Sequence, residues 1–181
     1  MKRTMLTAAA VSVALTAIFT VLYRLFPAGV LLSLAITFGT VGYHLWMRLL
    51  VGFCFNRFMA NRADYRAWWF RPRRWEAPLY QRLGVKKWKK HLPTYEPELF
   101  SPALHSWDEI AQAMCQSELV HETNMPLSFL PLLAVTKFGA LPVFLITSVL
   151  AAAFDGVFVI IQRYNRPRII RLLERQHSGK I

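Results

Sequence analysis

The sequence predicts an all-α integral membrane protein with a bundle of four transmembrane helices, and three observations lead to this prediction. First, 55% of the 181 residues are hydrophobic, yet the chain contains 22 Lys and Arg. Second, the apolar residues are concentrated in four runs, at about 5–23, 28–55, 119–137 and 139–162. Third, 19 of the 22 basic residues fall in segments that four crossings would put on one side of a bilayer. We therefore expect residues 1–181 to form a single membrane domain.

The first two runs are long enough to cross a membrane. Residues 5–23 are uncharged, and about 19 residues at 1.5 Å per residue cross roughly 30 Å of hydrocarbon. The basic residues before this run would also suit a signal peptide, an alternative that stays open. The second run, 28–55, is interrupted by His44 and Arg48, which lie four residues apart and so share one helix face.

The third run is short as a purely apolar stretch. A span over 119–137 has to take residues from the polar helix before it, which Ser106 or Asp108 is expected to cap. That helix would enter the membrane near His121. Pro126 and Pro131 are expected to kink it.

The fourth run, 139–162, contains Asp155. An ionisable side chain is costly in hydrocarbon, so Asp155 is expected to face the bundle interior or a polar cavity. Gln162 lies seven residues later on the same face.

The distribution of basic residues predicts the topology. The segment 56–91 contains eleven Lys and Arg against two acids, and the tail 163–181 contains six against one. The positive-inside bias puts these segments and both termini on the cytoplasmic side of the plasma (inner) membrane, in a multi-pass arrangement. Cys54 and Cys115 fall on that reducing side, so no disulfide is expected, and their spacing matches no metal motif.

The predicted cytoplasmic insertion, 56–107, is basic and rich in Trp: Trp68, Trp69, Trp75 and Trp88 lie among Arg and Lys. This composition favours contact with the membrane interface over nucleic-acid binding, because the spans already hold the segment at a bilayer. The basic residues would also suit a phosphorylated acyl carrier. Within the insertion, 81–93 is predicted to be a short amphipathic surface helix ended by Pro93.

Glu118 and His121 are the strongest catalytic candidates. They are three residues apart, so on a helix the carboxylate can hydrogen-bond the imidazole and orient it as a general base for an alcohol. Two alternatives stay open: both are interfacial or capping residues, or they bind a metal together with Glu122. No second His cluster supports the metal alternative, so no metal site is predicted.

The other polar residues of the spans are expected to converge on the same place. The faces of Asp155 with Gln162, and of His44 with Arg48, would meet Glu118 and His121 at a cavity open to the cytoplasm. The alternative is that Asp155 pairs with His44 or Arg48 only to hold the bundle together. The string "QRYNRPR" (162–168) adds three Arg at the end of the fourth span, which suits phosphate or carboxylate binding as well as membrane anchoring.

Four blocks of the sequence resemble one known family: "WWFRPRRWE" (68–76), "LYQRLGVKKWKKHLP" (79–93), "SELVHE" (117–122) and "IIQRYNRPRIIRLL" (160–173). They are similar to the glycosyl-4,4'-diaponeurosporenoate acyltransferases, small integral membrane proteins of staphyloxanthin-type carotenoid synthesis. Members of that family esterify a fatty acyl group onto the sugar of a glycosylated carotenoid acid. The likeness covers roughly 68–93 and 110–173.

The resemblance implies a set of site residues. In the insertion it points to Arg74, Trp75, Lys86, Lys87, Trp88 and Lys89; on the third helix to Glu118 and His121; and at the end of the fourth to Gln162, Arg163, Tyr164, Asn165, Arg166, Pro167 and Arg168. It implies a membrane-embedded acyltransferase with no bound cofactor and no nucleic-acid partner. Acyl-CoA or an acyl-carrier protein would be the donor, and a membrane lipid or lipid-linked glycoside the acceptor.

On this hypothesis the Arg residues of 162–168, with lysines of the insertion, hold the phosphates of the donor. His121, steered by Glu118, takes the hydroxyl proton, while Gln162, Tyr164 or Asn165 donates to the oxyanion. Two other functions stay open. One is a non-catalytic protein that binds anionic lipid or assists assembly, and the other is an enzyme with different chemistry, such as methyl transfer or reduction.

Overall fold

The computed structural model describes residues 2–92 and 94–179, and within them it contains helices and turns but no strand. The α-helices are α1 (Lys2–Leu25), α2 (Gly29–Met59), α3 (Glu76–Arg82), α4 (Val85–Trp88), α5 (Trp107–Leu127), α6 (Val135–Phe138) and α7 (Leu141–His177). Short 3-10 turns lie at Trp68–Phe70, Lys89–His91, Pro97–Phe100 and Leu130–Ala134. The prediction of an all-α protein is confirmed.

Three helices of the described part are long and apolar enough to span a membrane: Arg3–Leu25, Gly29–Met59 and Leu141–His177. They identify the chain as a membrane protein. At 1.5 Å per residue, α2 and α7 are each longer than the roughly 30 Å of a bilayer's hydrocarbon. Each of these two helices is therefore longer than a perpendicular crossing needs.

The chain divides into two compact units. The first unit comprises Met1–Val51 and Asn124–Phe154, and the second comprises Gly52–Thr123 and Asp155–Ile181. The first unit contains most of the apolar sequence, and the second contains the insertion and the basic end of α7.

In the first unit, α1 and α2 pack closely through small residues. A Cβ atom added at Gly42 would lie 3.3 Å from the Cβ of Ser12, and one at Gly39 would lie 3.5 Å from a methyl of Thr16. The order of these contacts shows that the two helices are antiparallel. Small residues allow this close approach, which is the usual basis of helix association in lipid.

The segment 119–137, predicted as the third span, is not one continuous helix. α5 ends at Leu127 and is followed by the turn Leu130–Ala134 and the four-residue α6. Pro131 explains the break, because it has no N–H to donate to the Leu127 carbonyl and its ring would clash there. The Leu127 carbonyl instead accepts a hydrogen bond from the Tyr43 hydroxyl at 2.7 Å.

The start of α5 confirms the predicted cap. The Oγ of Ser106 accepts a hydrogen bond from the Glu109 N–H at 3.3 Å, and the Glu109 carboxylate accepts one from the Ser106 N–H at 2.8 Å. This reciprocal pair is a capping box. It fixes where α5 begins and therefore which residues of α5 face its neighbours.

The prediction of one helix over residues 81–93 is wrong. α3 ends at Arg82, Gly84 adopts a left-handed conformation with φ of 60°, and α4 starts at Val85. Glycine at this position after a helix end is a common stop signal, because it has no Cβ to clash in the left-handed region. Pro93, predicted to end the helix, lies outside the described residues.

The core of the second unit packs the insertion against α5. Phe70 and Ala63 contact Cys115, which is fully buried on α5. Burial raises the pKa of the Cys115 thiol to about 12, so this cysteine is an inert packing residue. The Tyr65 hydroxyl donates to Asp108 at 3.0 Å and adds a polar link between the insertion and α5.

Candidate active site

Within the second unit, α5 and α7 form an antiparallel pair joined by polar contacts. His121 meets Asp155 at 2.8 Å, and Gln162 donates to the Ser117 hydroxyl at 3.0 Å. Residue numbers fall along one helix as they rise along the other. Asp155 and Gln162 are both buried, so the prediction that they share an inward face is confirmed.

His121 is held by Asp155 and by an aromatic ring. The distance joins Nδ1 of His121 to Oδ1 of Asp155, whose side chain is fully buried, while the His121 side chain is 20% exposed. The imidazole also stacks on Phe158, with ring centroids 4.8 Å apart. Among the described residues Nε2 of His121 has no hydrogen-bond partner. The ring is thus fixed through Nδ1.

The carboxylate that orients His121 is therefore Asp155, and the prediction that Glu118 does so is wrong. Glu118 lies on the same face of α5, but its carboxylate is directed to α7. One oxygen accepts from Arg163 at 2.8 Å and the other accepts from Arg166 in a short contact. Two guanidinium groups attract a carboxylate more strongly than one imidazole does.

Glu118 is the centre of a buried ion-pair network. It is fully buried and Arg166 is only 2% exposed. Burial raises the pKa of Glu118, and the two guanidinium groups oppose that shift. Removing one partner from such a group leaves an uncompensated charge in the interior. The geometry therefore indicates that Glu118 stabilises the fold by pairing with the two arginines.

The same arginines hold the insertion against α7. Arg163 contacts the buried Glu76 carboxylate at 3.1 Å and donates to the Trp69 carbonyl at 3.3 Å. Arg166 donates to the Phe70 carbonyl at 2.6 Å. The two guanidinium charges are already paired with the Glu76 and Glu118 carboxylates, and further N–H groups donate to backbone carbonyls. This argues against the phosphate contacts expected of Arg163 and Arg166.

Glu122 also belongs to this network. Its carboxylate accepts a hydrogen bond from the Trp69 indole at 2.8 Å and lies 3.8 Å from Arg163. Over the described residues, no group of three His, Cys, Asp or Glu side chains is arranged to hold a metal ion.

A second charged group, which we name the cation cluster, consists of Lys89, Tyr164, Asn165 and Arg168. Lys89 donates to the Asn165 side-chain oxygen and lies 4.8 Å from the centre of the Tyr164 ring. Arg168 lies 4.4 Å from that centre and donates to the Tyr164 hydroxyl at 2.7 Å. Burial and the charge of Arg168 both lower the pKa of Lys89. Among the described residues, no carboxylate contacts Lys89 or Arg168.

The remaining residues predicted in the insertion stay on the surface. Arg74, Trp75, Lys86 and Lys87 are exposed, and the half-buried Trp88 donates its indole N–H to the Leu83 carbonyl at 2.9 Å. Within the described chain no hydrogen bond joins these five residues to α5 or α7.

His44 and Arg48 lie in the first unit, whereas the other predicted site residues lie in the second. The His44 ring is buried and meets Tyr43 edge-on, with centroids 5.4 Å apart. Arg48 donates to the Ala151 carbonyl at 2.9 Å and lies over the Phe154 ring.

Sequence reasoning missed Glu76 and Ser117 as partners of the QRYNRPR string. Glu76 had a visible signal, because it is one of two acids in a segment with eleven Lys and Arg. An acid among so many bases is often an ion-pair partner. Ser117 had no such signal, since one serine on a polar helix matches many arrangements.

Comparison with protein-family models matches residues 66–175 to the family described as glycosyl-4,4'-diaponeurosporenoate acyltransferase. The match covers more than half of the chain and includes His121, Asp155 and the cation cluster. It confirms the resemblance seen in the sequence blocks. No curated protein and no solved structure matches the chain.

Proposed function

Because the chain belongs to the glycosyl-4,4'-diaponeurosporenoate acyltransferase family, we propose that it acylates a hydroxyl of a lipid-linked acceptor, with His121 as the general base. The family is one of acyltransferases in carotenoid biosynthesis. The donor in this proposal is an activated fatty acyl group, and the acceptor is a glycosylated isoprenoid or carotenoid. The observation that supports the base is the His121–Asp155 pair, with Nδ1 held at 2.8 Å and the His121 side chain 20% exposed.

In the proposed reaction, Nε2 of His121 accepts the proton of the acceptor hydroxyl as its oxygen attacks the carbonyl carbon of an acyl thioester. The C–O bond forms and the carbonyl oxygen gains the negative charge. When the C–S bond breaks, the imidazolium returns the proton to the leaving sulfur, so that an ester and a free thiol result. The buried Asp155 carboxylate stabilises the imidazolium between these two proton transfers.

Ser117 and Gln162 are the proposed oxyanion donors. Ser117 lies one helical turn before His121 on α5, and its oxygen already accepts a hydrogen bond from Gln162, which leaves the O–H to donate. Asn165 is less suitable, because it lies about 10 Å along α7 from Phe158, the ring on which His121 stacks. Tyr164 is less suitable for the same reason, because it lies about 9 Å along α7 from Phe158.

We further propose four membrane crossings, with both termini and the insertion on the cytoplasmic side of the plasma membrane. The ion pair of Arg163 with Glu76 supports this proposal, because it joins the end of α7 to the insertion, as expected if both lie on one side of the membrane. The chain between them must then cross an even number of times. The apolar part of α7 supplies one crossing, so the broken segment 119–137 supplies the other.

The test uses purified protein in lipid vesicles with labelled acyl-CoA and a glycosylated carotenoid acid. Wild-type protein transfers label into ester, and His121→Ala loses about a hundredfold or more of that rate. His105→Ala is the matched control, because His105 is a half-buried surface histidine of the same unit, paired with Glu109, and should retain the rate. A wild-type rate in His121→Ala would rule out the general base. Lipid binding by wild-type protein without any transfer would favour the non-catalytic alternative.

A further inference from the structure

We propose that the cation cluster of Lys89, Tyr164, Asn165 and Arg168 binds a phosphate group, and that this phosphate belongs to a phosphopantetheine thioester, the acyl donor. The inference rests on the proposed function for the identity of the donor. The binding of phosphate stands on the geometry of the cluster alone, which separates this proposal from the role of His121.

The basic residues at the end of α7 differ in whether a carboxylate pairs with them. Arg163 and Arg166 are matched by the Glu118 and Glu76 carboxylates. Arg168, one turn further on, has no carboxylate partner among the described residues and shares the Tyr164 ring with a second cation, Lys89. Two like charges on one ring repel each other, and a bound dianion would relieve that repulsion.

The cation cluster also has N–H groups that remain available as hydrogen-bond donors. Lys89 uses one N–H on Asn165, and an ammonium group has three. Arg168 uses one Nη2 N–H on Tyr164 and retains others of its fork. Because its oxygen accepts from Lys89, the Asn165 amide is oriented with its NH₂ free to donate. Phosphate, with several acceptor oxygens, matches such a set.

The distance between the cation cluster and His121 suits a long donor molecule. His121 lies at the level of Asp155 and Phe158 on α7, while the cluster occupies positions 164–168. At 1.5 Å per residue, the two places are separated by about 10–15 Å along the helix. A donor that places its acyl carbon at His121 and its phosphate at the cluster needs a long, narrow arm between them. Phosphopantetheine, in acyl-CoA or on a carrier protein, has such an arm, whereas an acyl phosphate does not.

The test measures CoA binding to the full chain in nanodiscs of phosphatidylcholine by isothermal titration calorimetry. Lys89→Gln and Arg168→Gln each remove one charge and are expected to weaken CoA binding about tenfold or more. Arg171→Gln is the matched control, because Arg171 is exposed on the same helix and contacts only the Pro167 carbonyl among the described residues. In acyl transfer, the two cluster variants should raise the KM for acyl-CoA and leave kcat nearly unchanged.

His121→Ala separates the two proposals, because it should lose turnover and keep wild-type affinity for CoA. Wild-type CoA affinity in Lys89→Gln and Arg168→Gln, with unchanged melting temperatures, would overturn the inference. So would an equal loss in Arg171→Gln, which would indicate a general effect of charge. A parallel titration with short-chain phosphatidylglycerol distinguishes the phosphate's source. If the cluster variants lose only that ligand, the site takes a lipid headgroup and the assignment to the acyl donor fails.

Discussion

The two units of the chain differ in how they treat charge. The first unit contains no acid and five Lys and Arg, whereas the second contains all ten acids and 17 Lys and Arg. The buried polar residues of the first unit are Ser12, Thr40, His44, Asn124, Ser128 and Ser148, and those of the second are Glu76, Gln116, Glu118, Asp155, Gln162 and Arg166. Among the residues that the structure describes, the buried Asp, Glu and Arg side chains thus belong to the second unit.

The two units also differ in their exposed side chains and in how their polar groups are satisfied. In the first unit, Leu50, Leu133 and Leu150 are 62%, 73% and 64% exposed, as expected for side chains that face acyl tails. Several of its hydroxyl groups donate to carbonyls one turn back, as when Thr16 donates to the Ser12 carbonyl four residues earlier at 2.7 Å. The second unit instead satisfies its charges with partners distant in sequence, such as Glu76 and Arg163. The first unit is suited to solvation by lipid, and the second is built around ion pairs.

The largest effect on stability is expected from breaking the network in the second unit. Glu118→Gln leaves Arg166 buried without its carboxylate, and losing one partner of a buried pair costs about 3–5 kcal/mol. The melting temperature of the purified protein in detergent should fall sharply, as followed by size-exclusion chromatography after heating. Glu174→Gln, the same change at an exposed acid of α7, should melt as wild type does. A Glu118→Gln protein that is stable but inactive would instead indicate that Glu118 acts in catalysis.

A smaller effect is expected from the first unit, where packing rather than charge holds the helices. Gly42→Leu forces a side chain into the space occupied by Ser12 and should cost about 1–3 kcal/mol through overpacking. Gly52→Leu is the matched control on the same helix, because nothing lies within 4 Å of a Cβ added there. The measurement is again the melting temperature. Equal melting of the two variants would show that close contact between α1 and α2 contributes little.

How far the fold could be predicted differs between these regions too. Hydropathy predicted α1, α2 and α7, because a long apolar run is a property of local sequence. The break in 119–137 depends on Pro131 at Leu127, and the turn after α3 depends on Gly84. Pro131 and Gly84 can both be read from the sequence, but a proline or glycine alone does not show whether a helix will kink or end there.

The sequence predicted which residues belong to the site better than it predicted which of them contact each other. Helical spacing correctly joined Asp155 with Gln162 on one inward face of α7. It also put Glu118 and His121 on one face of α5, but periodicity does not say which residue of α7 each will meet. That choice depends on the axial register of the two helices, and register is set by contacts distant in sequence. In the structure, Glu118 pairs with Arg163 and Arg166, and Asp155 contacts the His121 imidazole.

The central claim is that His121 and Asp155 act as one unit in acyl transfer. The most direct test is the transfer rate of Asp155→Asn, His121→Ala and the double variant in lipid vesicles, each compared with wild type at equal amounts of folded protein. The account predicts that both single variants lose about a hundredfold or more and that the double variant is no slower than His121→Ala, because residues acting as a unit are not additive. A wild-type rate in Asp155→Asn, or losses that multiply in the double variant, would contradict it.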